Sequence, residues 1–422
     1  MWNAGSYDLP AAEGVYLVGG CVRDLLLGRR PADIDLVVLA DARAYAQRVA
    51  AARGGRLVEI GKAGFRLYRV AAAGQIIDVS PAAGAAGIRE DLQQRDFTIN
   101  SLAVDLASGE LIDIAAGRAD LSAGLIRMVS SGVFQADPVR LVRAFRLAAQ
   151  FGFSIEPQTL AAIAKDAPRI AAAAGERIRE ELFKLLEASA GAAALAQMQA
   201  TGLLDALLPE VADLPGGIRR GLEVLRCLEA QREEVLAACV DLRGPLDPSL
   251  GGRGRVLLSL AALLHHLPDA SQAVRRLKFS ARDAAGLARL LRHRRRPRSL
   301  FEASPPSARA TTRLFRLAGE LTPGLLLLAG ADLMADPEAA GRSQGFSAFS
   351  AELLQRYFRV YLPALRRPRP VGGEDLMHEF GLSPSPLIGD ILEALDVERL
   401  SQGGLERGEA LRFAADFLRS RA

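Results

Sequence analysis

Hydrophobic and polar positions divide the chain into a first part with strand-like patterns and a longer part with helical ones. Short β-prone runs bounded by glycine or other turn residues cover residues 15–18, 34–39, 56–60, 65–70 and 75–79, and a hairpin is expected over 102–105 and 111–114. Between them, apolar residues at helical spacing predict helices over 21–27 and 42–52. From about residue 132 the strand pattern nearly vanishes and helical periodicity takes over. The pattern therefore predicts an α+β protein with a small mixed-sheet head and an all-helical remainder.

The first predicted strand ends at Gly19-Gly20, and Asp33 and Asp35 stand at the start of the next one. Because side chains alternate along a strand, both carboxylates lie on one face, roughly 6.6 Å apart along the chain. Two such acids can hold one or two Mg²⁺ ions, and a glycine turn lets backbone N–H groups approach a phosphate. Asp78, in a later strand, is the candidate for a third catalytic carboxylate, with a surface aspartate as the equal alternative. Together these features indicate metal-assisted phosphoryl transfer.

A second polar segment runs from residue 94 to residue 102. In it Arg95 and Asn100 can donate hydrogen bonds to phosphate or ribose oxygens, and Asp96 can orient an arginine or accept from a hydroxyl. The same residues fit equally well as a helix end that is capped by Asp96 and leads into a strand. Both interpretations stay open on the chemistry of the residues alone.

An arginine stripe follows Asp137 on a helix predicted over residues 138–151. Arg140, Arg143 and Arg146 are three residues apart, so they share one side of the helix. This side is either a solvated basic face or a functional one. In the functional interpretation, Asp137 and Arg140 offer one acceptor and one forked donor to the edge of a nucleotide base. Arg143 and Arg146 then support them or contact phosphate.

Composition narrows the class of protein. A chain of 422 residues, half of them hydrophobic and few of them aromatic, predicts two to four domains with a core made mostly of Ala and Leu. The net charge of +4 gives RNA binding little support by itself. The three cysteines are widely spaced, which excludes a disulfide framework and a zinc knuckle. The apolar runs are far short of a membrane span, so we expect a cytoplasmic, non-exported protein without a membrane partner.

The segments VGGCVRDLLLG, ADID, QRDFTINSLAVD and ADPVRLVRAFRLAAQFGFSIEPQT, in this order, resemble the class II CCA-adding enzymes and bacterial poly(A) polymerases. That family belongs to the DNA polymerase beta-like nucleotidyltransferases, and the likeness is strong over residues 14–190. It implies a catalytic head at 1–131, a base-recognising helical neck at 132–189, a tRNA-binding helical body with a degenerate HD-like region at 190–362, and a linker with a small tail domain at 363–422. It also implies template-independent addition of C, C and A to a tRNA 3′ end from CTP and ATP.

The resemblance also implies roles for individual residues. Asp33 and Asp35 would bind Mg²⁺. Asp137 and Arg140 would read the base. The residues expected to bind the nucleotide are Gly19, Gly20, Arg23, Asp24, Arg95, Asp96, Asn100, Asp137, Arg140, Arg143 and Arg146.

The chain departs from the family pattern in two places. Ala136 precedes Asp137 where the family usually has a glutamate, which removes one possible orienting acid. The stretch between Asp78 and Arg95 is short, and so is the flexible loop that helps the family to switch from C to A addition. Complete CCA addition is the expected activity, with a CC-adding or A-adding partial enzyme and a poly(A) polymerase as alternatives.

Two rivals come from other classes of protein. A non-catalytic RNA-binding protein is opposed by the intact Asp33 and Asp35, because a binder has no need to hold repelling carboxylates side by side. A nucleotide hydrolase is disfavoured because Leu267, and not an aspartate, follows His265-His266, so the His-Asp dyad of metal-dependent phosphohydrolases is missing.

Overall fold

The computed structural model describes residues 9–62, 65–82, 87–188, 190–214, 216–303, 305–339, 341 and 343–420. The chain forms two compact units, Met1–Leu207 and Leu208–Ala422. The first unit contains the predicted head and neck together with the first helices expected for the body. The four-part division of the chain stays a prediction.

Within the described residues of the first unit, seven strands form one sheet. They are β1 (Val15–Val18), β2 (Asp33–Val38), β3 (Arg56–Lys62), β4 (Phe65–Ala72), β5 (Gln75–Pro81), β6 (Leu102–Asp105) and β7 (Leu111–Asp113). Their order across the sheet is β3-β4-β5-β2-β1-β6-β7. The central pair β2 and β5 is parallel, and the other pairs are antiparallel. The predicted strands, including the hairpin of β6 and β7, are confirmed with ends that shift by up to two residues.

Helices connect the strands and continue beyond them. They are α1 (Gly20–Leu26), α2 (Ala42–Ala52), α3 (Ile88–Gln93), α4 (Gly117–Ala123), α5 (Val133–Ala136), α6 (Val139–Phe151), α7 (Pro157–Asp166), α8 (Gly175–Glu187), α9 (Gly191–Ala200) and α10 (Leu203–Leu207), with 3-10 turns at Thr98–Asn100 and Ala167–Ala172. One feature of the helical part was not predicted: a two-residue strand β9 (Ser154–Ile155) pairs in parallel with β8 (Leu125–Ile126). The mixed-sheet head followed by helices is thus confirmed.

The apolar side chains of the sheet fall on two faces because strand residues alternate. Ile34, Leu36 and Val38 of β2 lie in a core with the buried face of α2, and Val37 packs on the opposite face with Ile88 and Leu92 of α3. The strand that carries Asp33 and Asp35 is therefore fixed from both sides. This burial makes β2 a rigid support for polar residues at its start.

Gly117, at the start of α4, lies against the backbone of Thr98. A Cβ atom at this position would lie 2.9 Å from the carbonyl carbon of Thr98 and closer still to its oxygen. We therefore expect Gly117→Ala to destabilise the protein by roughly 3 kcal/mol, because the backbone must move to accept the methyl group. Thermal denaturation measures this loss.

The control is Gly389→Ala, on an exposed part of a helix where nothing lies within 4 Å of the added Cβ. It is expected to stabilise the protein by up to about 1 kcal/mol, the difference in helix propensity. Equal melting temperatures of the two variants would contradict the steric account of Gly117.

The second unit is helical throughout its described part. Its helices are α11 (Pro209–Ala212), α12 (Gly217–Ala238), α13 (Arg243–Leu250), α14 (Gly252–Leu263), α15 (Ser271–Arg276), α16 (Ala281–His293), α17 (Arg296–Glu302), α18 (Ala308–Ala318), α19 (Thr322–Ala335), α20 (Ser343–Arg356), α21 (Leu362–Arg366), α22 (Gly373–Phe380), α23 (Pro386–Gln402) and α24 (Arg407–Arg419), with 3-10 turns at Val240–Leu242 and Gly319–Leu321 and a π-helical turn at Tyr357–Tyr361. The last three helices enclose a small core of their own around Leu376, Ile391 and Ala410.

The predicted linker at the start of the 363–422 segment is partly helical. α21 extends over Leu362–Arg366, with Pro363 in its first turn. Proline is tolerated there because the N–H it lacks has no partner inside the helix. The position of the linker stays a prediction.

One helical stretch in the described chain, Ala308–Ala335, is long and apolar enough to cross a membrane by length and composition. In the protein, 67% of its apolar window is buried against other parts of the structure. Core helices of globular units have the same property, so the stretch gives little support to a membrane span.

Candidate active site

The carboxylates predicted to hold metal lie at the centre of the sheet. Asp33 and Asp35 occupy the start of β2, and the register of the parallel pair sets Asp35 opposite Asp78 of β5. Asp78 in turn lies opposite Arg69 of β4, which donates two hydrogen bonds of 2.8 Å to its two oxygens. Asp78 is thus beside the aspartate pair but is neutralised by an arginine that the sequence analysis did not single out.

The environment of Asp35 raises the pKa of its carboxyl to about 6. Burial is the largest cause, the charges of Asp78 and Asp33 add to it, and Arg95 opposes it. A divalent cation would relieve this accumulation of negative charge, and carboxylate oxygens are the ligands that hard cations prefer. Asp33 and Asp35 therefore fit a divalent metal ion.

Among the described residues, no group of three His, Cys, Asp or Glu side chains is arranged to hold a metal. Asp78 stays a predicted third carboxylate whose oxygens are taken by Arg69. In the second unit, His265 is buried with its Nε2 3.3 Å from an oxygen of Asp332. The aspartate beside His265 thus comes from α19 and not from the position that follows the two histidines, and the degenerate HD-like region stays a prediction.

The raised pKa of Asp35 has a consequence for folding. A carboxyl whose pKa is about 6 in the folded protein and 3.8 by itself opposes folding once it is ionised. This penalty grows as the pH rises between the two values and is complete above the higher one. A shift of about two units corresponds to roughly 3 kcal/mol.

Asp35→Asn is therefore expected to stabilise the metal-free protein near neutral pH. Thermal denaturation in the presence of EDTA should show the largest gain at about pH 8 and about half of it at about pH 5, because the native carboxyl is then mostly protonated. Glu13→Gln, which removes an exposed carboxylate of the same unit, is the matched control and should show no gain. A variant less stable than the wild type at about pH 8 would contradict the assignment of the charge penalty to Asp35.

The glycine turn lies directly beside these acids. Gly19 has a φ of 73°, a left-handed conformation that favours glycine, and its N–H donates to the carbonyl oxygen of Leu102. A Cβ at Gly19 would lie 2.5 Å from Nη1 of Arg95. The missing side chain thus lets the guanidinium of Arg95 approach the turn, where it can donate to a phosphate.

Arg95 and Arg23 are both held by neighbouring aspartates. Arg95 donates to one oxygen of Asp91, one helical turn earlier, at 3.0 and 2.8 Å. Arg23 is buried, donates to Asp24 at 2.9 and 2.7 Å and to Asn100 at 2.7 Å, and its guanidinium lies 4.5 Å from the centre of the Phe151 ring. The two arginines are therefore positioned before any ligand binds.

Asp96 is the centre of the second predicted segment. Its carboxylate accepts hydrogen bonds from Asn100 at 3.0 Å, from the N–H of Phe97 at 2.8 Å and from Arg143 at 3.0 Å. Burial alone would raise the pKa of Asp96, but the charge of Arg143 and these hydrogen bonds outweigh it, so the pKa is lowered. Asp96 does not cap a helix; it joins the head to helix α6.

Two of the three arginines in the stripe on α6 pair with the same glutamate. Arg143 and Arg146 each donate to Glu181 of α8, at 2.8 and 2.7 Å. Because these guanidinium groups are engaged with carboxylates, they fit the predicted supporting role better than contact with phosphate. The face is therefore not simply solvated.

Asp137 and Arg140, the predicted base readers, lie at the start of α6. Both oxygens of Asp137 accept from Arg177 of α8, at 3.0 and 2.7 Å, and this pairing lowers the pKa of Asp137 although burial opposes it. Arg140 donates at 3.0 Å to the carbonyl oxygen of Gln94, next to Arg95. Within the described residues, the buried Nε of Arg140 has no hydrogen-bond partner.

Sequence reasoning missed four residues that shape this site: Arg69, Asp91, Arg177 and Glu181. Asp91 had a readable signal, since it stands four residues before Arg95 on one helical face. The other three lie in β4 and α8, elements other than those of the residues they pair with, and carry no local signal. A central aspartate pair beside a glycine turn and positioned arginines, on a small mixed sheet, defines a nucleotidyltransferase.

The comparisons with known proteins agree with this class. The family model described as "Poly A polymerase head domain" matches residues 15–127, and the one described as "Probable RNA and SrmB- binding site of polymerase A" matches residues 152–214. The chain is 33% identical to the CC-adding tRNA nucleotidyltransferase of Geobacter sulfurreducens, covering 95% of this chain and 91% of that protein. It is 32% identical to the A-adding tRNA nucleotidyltransferase of Deinococcus radiodurans, covering 92% and 91%.

A solved structure shows the same fold. The Thermotoga maritima CCA-adding enzyme complexed with tRNA has a TM-score of 0.70 at 24% identity, covering 97% of this chain and 91% of that one. The chain belongs to the family of class II CCA-adding enzymes and bacterial poly(A) polymerases. It is thus a tRNA nucleotidyltransferase, and the chemistry of its family depends on divalent metal ions.

Proposed function

We propose that this protein is a CC-adding enzyme, which transfers two cytidine nucleotides from CTP to the 3′ end of tRNA with Mg²⁺ as the metal. One observation carries this proposal. The connection between β5, which ends at Pro81, and α3, which begins at Ile88, spans only residues 82–87. In the family, the flexible loop in this part of the head helps the enzyme to switch from C to A addition. The similarity to the CC-adding enzyme of Geobacter sulfurreducens over 95% of the chain supports the same assignment.

The reaction joins the tRNA to the α-phosphorus of CTP. The terminal 3′ oxygen forms a bond to this phosphorus, the bond to the β-phosphate oxygen breaks, and pyrophosphate leaves. Asp33 and Asp35 would hold Mg²⁺, which when bound lowers the pKa of the ribose hydroxyl and balances the charge of the leaving pyrophosphate. Arg95, held by Asp91 above Gly19, donates hydrogen bonds to the triphosphate.

Base choice falls to Asp137 and Arg140. The exocyclic amino group of cytosine can donate a hydrogen bond to a carboxylate. The neighbouring acceptor atoms of the cytosine ring can accept hydrogen bonds from a guanidinium. The guanidinium of Arg140 lies beside this carboxylate, with its Nε 3.8 Å from Oδ2 of Asp137, so the donor and the acceptor needed for one base edge are neighbours. Uracil presents a carbonyl where cytosine has its amino group, so Asp137 repels it.

Complete CCA addition, the activity expected from the sequence, is the second candidate. Adenine also presents an amino group beside a ring acceptor, so Asp137 and Arg140 suit both bases. The chain is also 31% identical to the Multifunctional CCA protein of Xanthomonas campestris, covering 72% of this chain and 76% of that protein. The short connection between β5 and α3 makes this candidate the weaker one.

The test uses two tRNA substrates, one that lacks CCA and one that ends in CC. With CTP and ATP together, we expect the first substrate to gain CC and stop, and the second to remain unchanged. Addition of A to the tRNA that ends in CC would replace the proposal by full CCA addition, and a long A tail would indicate a poly(A) polymerase. If neither substrate is extended, the non-catalytic alternative stands.

A further inference from the structure

A continuous set of charged and polar side chains connects the glycine turn to the two helices that carry the base-reading residues. Arg23 donates to Asn100 at 2.7 Å, and Asn100 donates to Asp96 at 3.0 Å. Arg143 of α6 bridges Asp96 at 3.0 Å and Glu181 of α8 at 2.8 Å. Each member is buried or partly buried, so solvent screens these interactions weakly.

Glu181 is the residue of this set that no sequence motif indicated. It is 7% exposed, and its two oxygens each accept from a different arginine of α6. Without this carboxylate, Arg143 and Arg146 would be two like charges in a partly buried site without their shared counter-charge. An ionised group in such a site is costly unless it is paired, so helix α6 depends on Glu181 for its position.

The same face of α8 also contacts the start of α6. Arg177 stands four residues before Glu181, so both side chains lie on one side of the helix. Arg177 binds both oxygens of the base reader Asp137, and Glu181 binds the arginines one and two turns further along α6. Helix α8 thus holds α6 at two points, and Arg143 ties α6 to the head through Asp96.

We propose that Glu181 is a positioning residue for base selection. By holding Arg143 and Arg146 it fixes the distance between the glycine turn, where the triphosphate binds, and Asp137 with Arg140, where the base is read. A nucleotide must then satisfy both ends at once, which favours the base with the correct edge. This inference rests on the proposed function of nucleotide addition.

Glu181→Gln tests the proposal because glutamine keeps the size of the side chain but loses the charge and one acceptor. We expect the affinity for CTP to fall and that for UTP to stay nearly constant, which lowers their ratio about tenfold. Titration calorimetry with CTP and with UTP in the presence of Mg²⁺ measures both affinities. In steady-state addition, KM for CTP should rise by the same factor while kcat stays within about twofold.

The matched control is Glu180→Gln, which removes the neighbouring carboxylate on the exposed side of α8. It should leave the ratio of the two affinities unchanged. Glu181→Asp keeps the negative charge on a shorter side chain. We expect it to lower the ratio of CTP affinity to UTP affinity about threefold. If Glu181→Gln does not fold, the ratio measured for Glu181→Asp tests the proposal in its place.

Two results would overturn the role of Glu181: an unchanged ratio in a folded Glu181 variant, or equal losses of CTP and UTP affinity, which would indicate a structural role only. A wild-type protein that binds CTP and UTP equally well would instead contradict the proposed function. The two failures are thus separate.

Discussion

Asp35→Asn is expected to abolish nucleotide addition while leaving the affinity for tRNA within about twofold, because we expect phosphate contacts outside this site to supply most of the RNA binding. Asparagine keeps the shape of the side chain but removes one of the two charges with which Asp33 and Asp35 would hold a divalent cation. Asp33 alone offers less negative charge to a cation than the pair of aspartates does. We expect a loss of roughly three orders of magnitude or more in rate, the scale of losing a principal electrostatic contact of the transition state.

Single-turnover incorporation of radiolabelled CTP into tRNA that lacks CCA measures the rate, and a filter-binding assay measures the affinity. Glu13→Gln, exposed and in the same unit, should retain full activity. Incorporation at the wild-type rate by Asp35→Asn would remove Asp35 from the catalytic site. The variant should also be more stable than the wild type without metal, so lost activity cannot be attributed to unfolding.

Asp137→Ala is expected to have the second largest effect, a loss of base discrimination. In the proposed function, this carboxylate distinguishes the amino group of cytosine from the carbonyl of uracil. One good bidentate contact to a base is worth about 1–3 kcal/mol of discrimination, so the preference for CTP over UTP should fall by about ten to one hundredfold. Arg95 and Asp33 are untouched, and addition of the nucleotides that do bind should continue.

Competition between CTP and UTP in one reaction, with sequencing of the tRNA ends, measures this preference. Asp416→Ala is the matched control, because it removes an exposed aspartate that also pairs with an arginine, in the last helix of the chain. A variant that keeps the wild-type preference would mean that Asp137 only anchors Arg177, with base choice made elsewhere.

The sequence predicted those parts of the site whose residues are near one another along the chain. Gly19, Gly20, Asp33 and Asp35 fall within one strand, turn, helix and strand unit, and their spacing alone indicates phosphate and metal chemistry. The fold class followed from the change of periodicity near residue 132. Both results depend on residues that are close together along the chain, and a single sequence is enough to show such patterns.

The partners of these residues were not predictable in the same way. Arg69 reaches Asp78 only because β4 and β5 pair in one register, and a shift by one residue would turn one of these side chains to the other face of the sheet. Glu181 belongs to a helix rich in charged residues, where most carboxylates are solvated. Its burial is decided by the packing of α8 on α6, and no local property of the sequence marks it.

The parallel pairing of β2 with β5 has a consequence for how the protein folds. β3 and β4 lie between these strands in the chain, so the central pair closes a loop that is long compared with those of the hairpins around it. Pairings of this kind form late, because the chain loses loop entropy before the contact repays it. Asp35 and Asp78 therefore meet later than the paired residues of the β3-β4 and β4-β5 hairpins, and the burial of Asp35 beside Asp78 and Asp33 opposes this stage of folding. We expect divalent cations to accelerate the pairing of β2 with β5. A bound metal would then contribute to folding as well as to nucleotide addition.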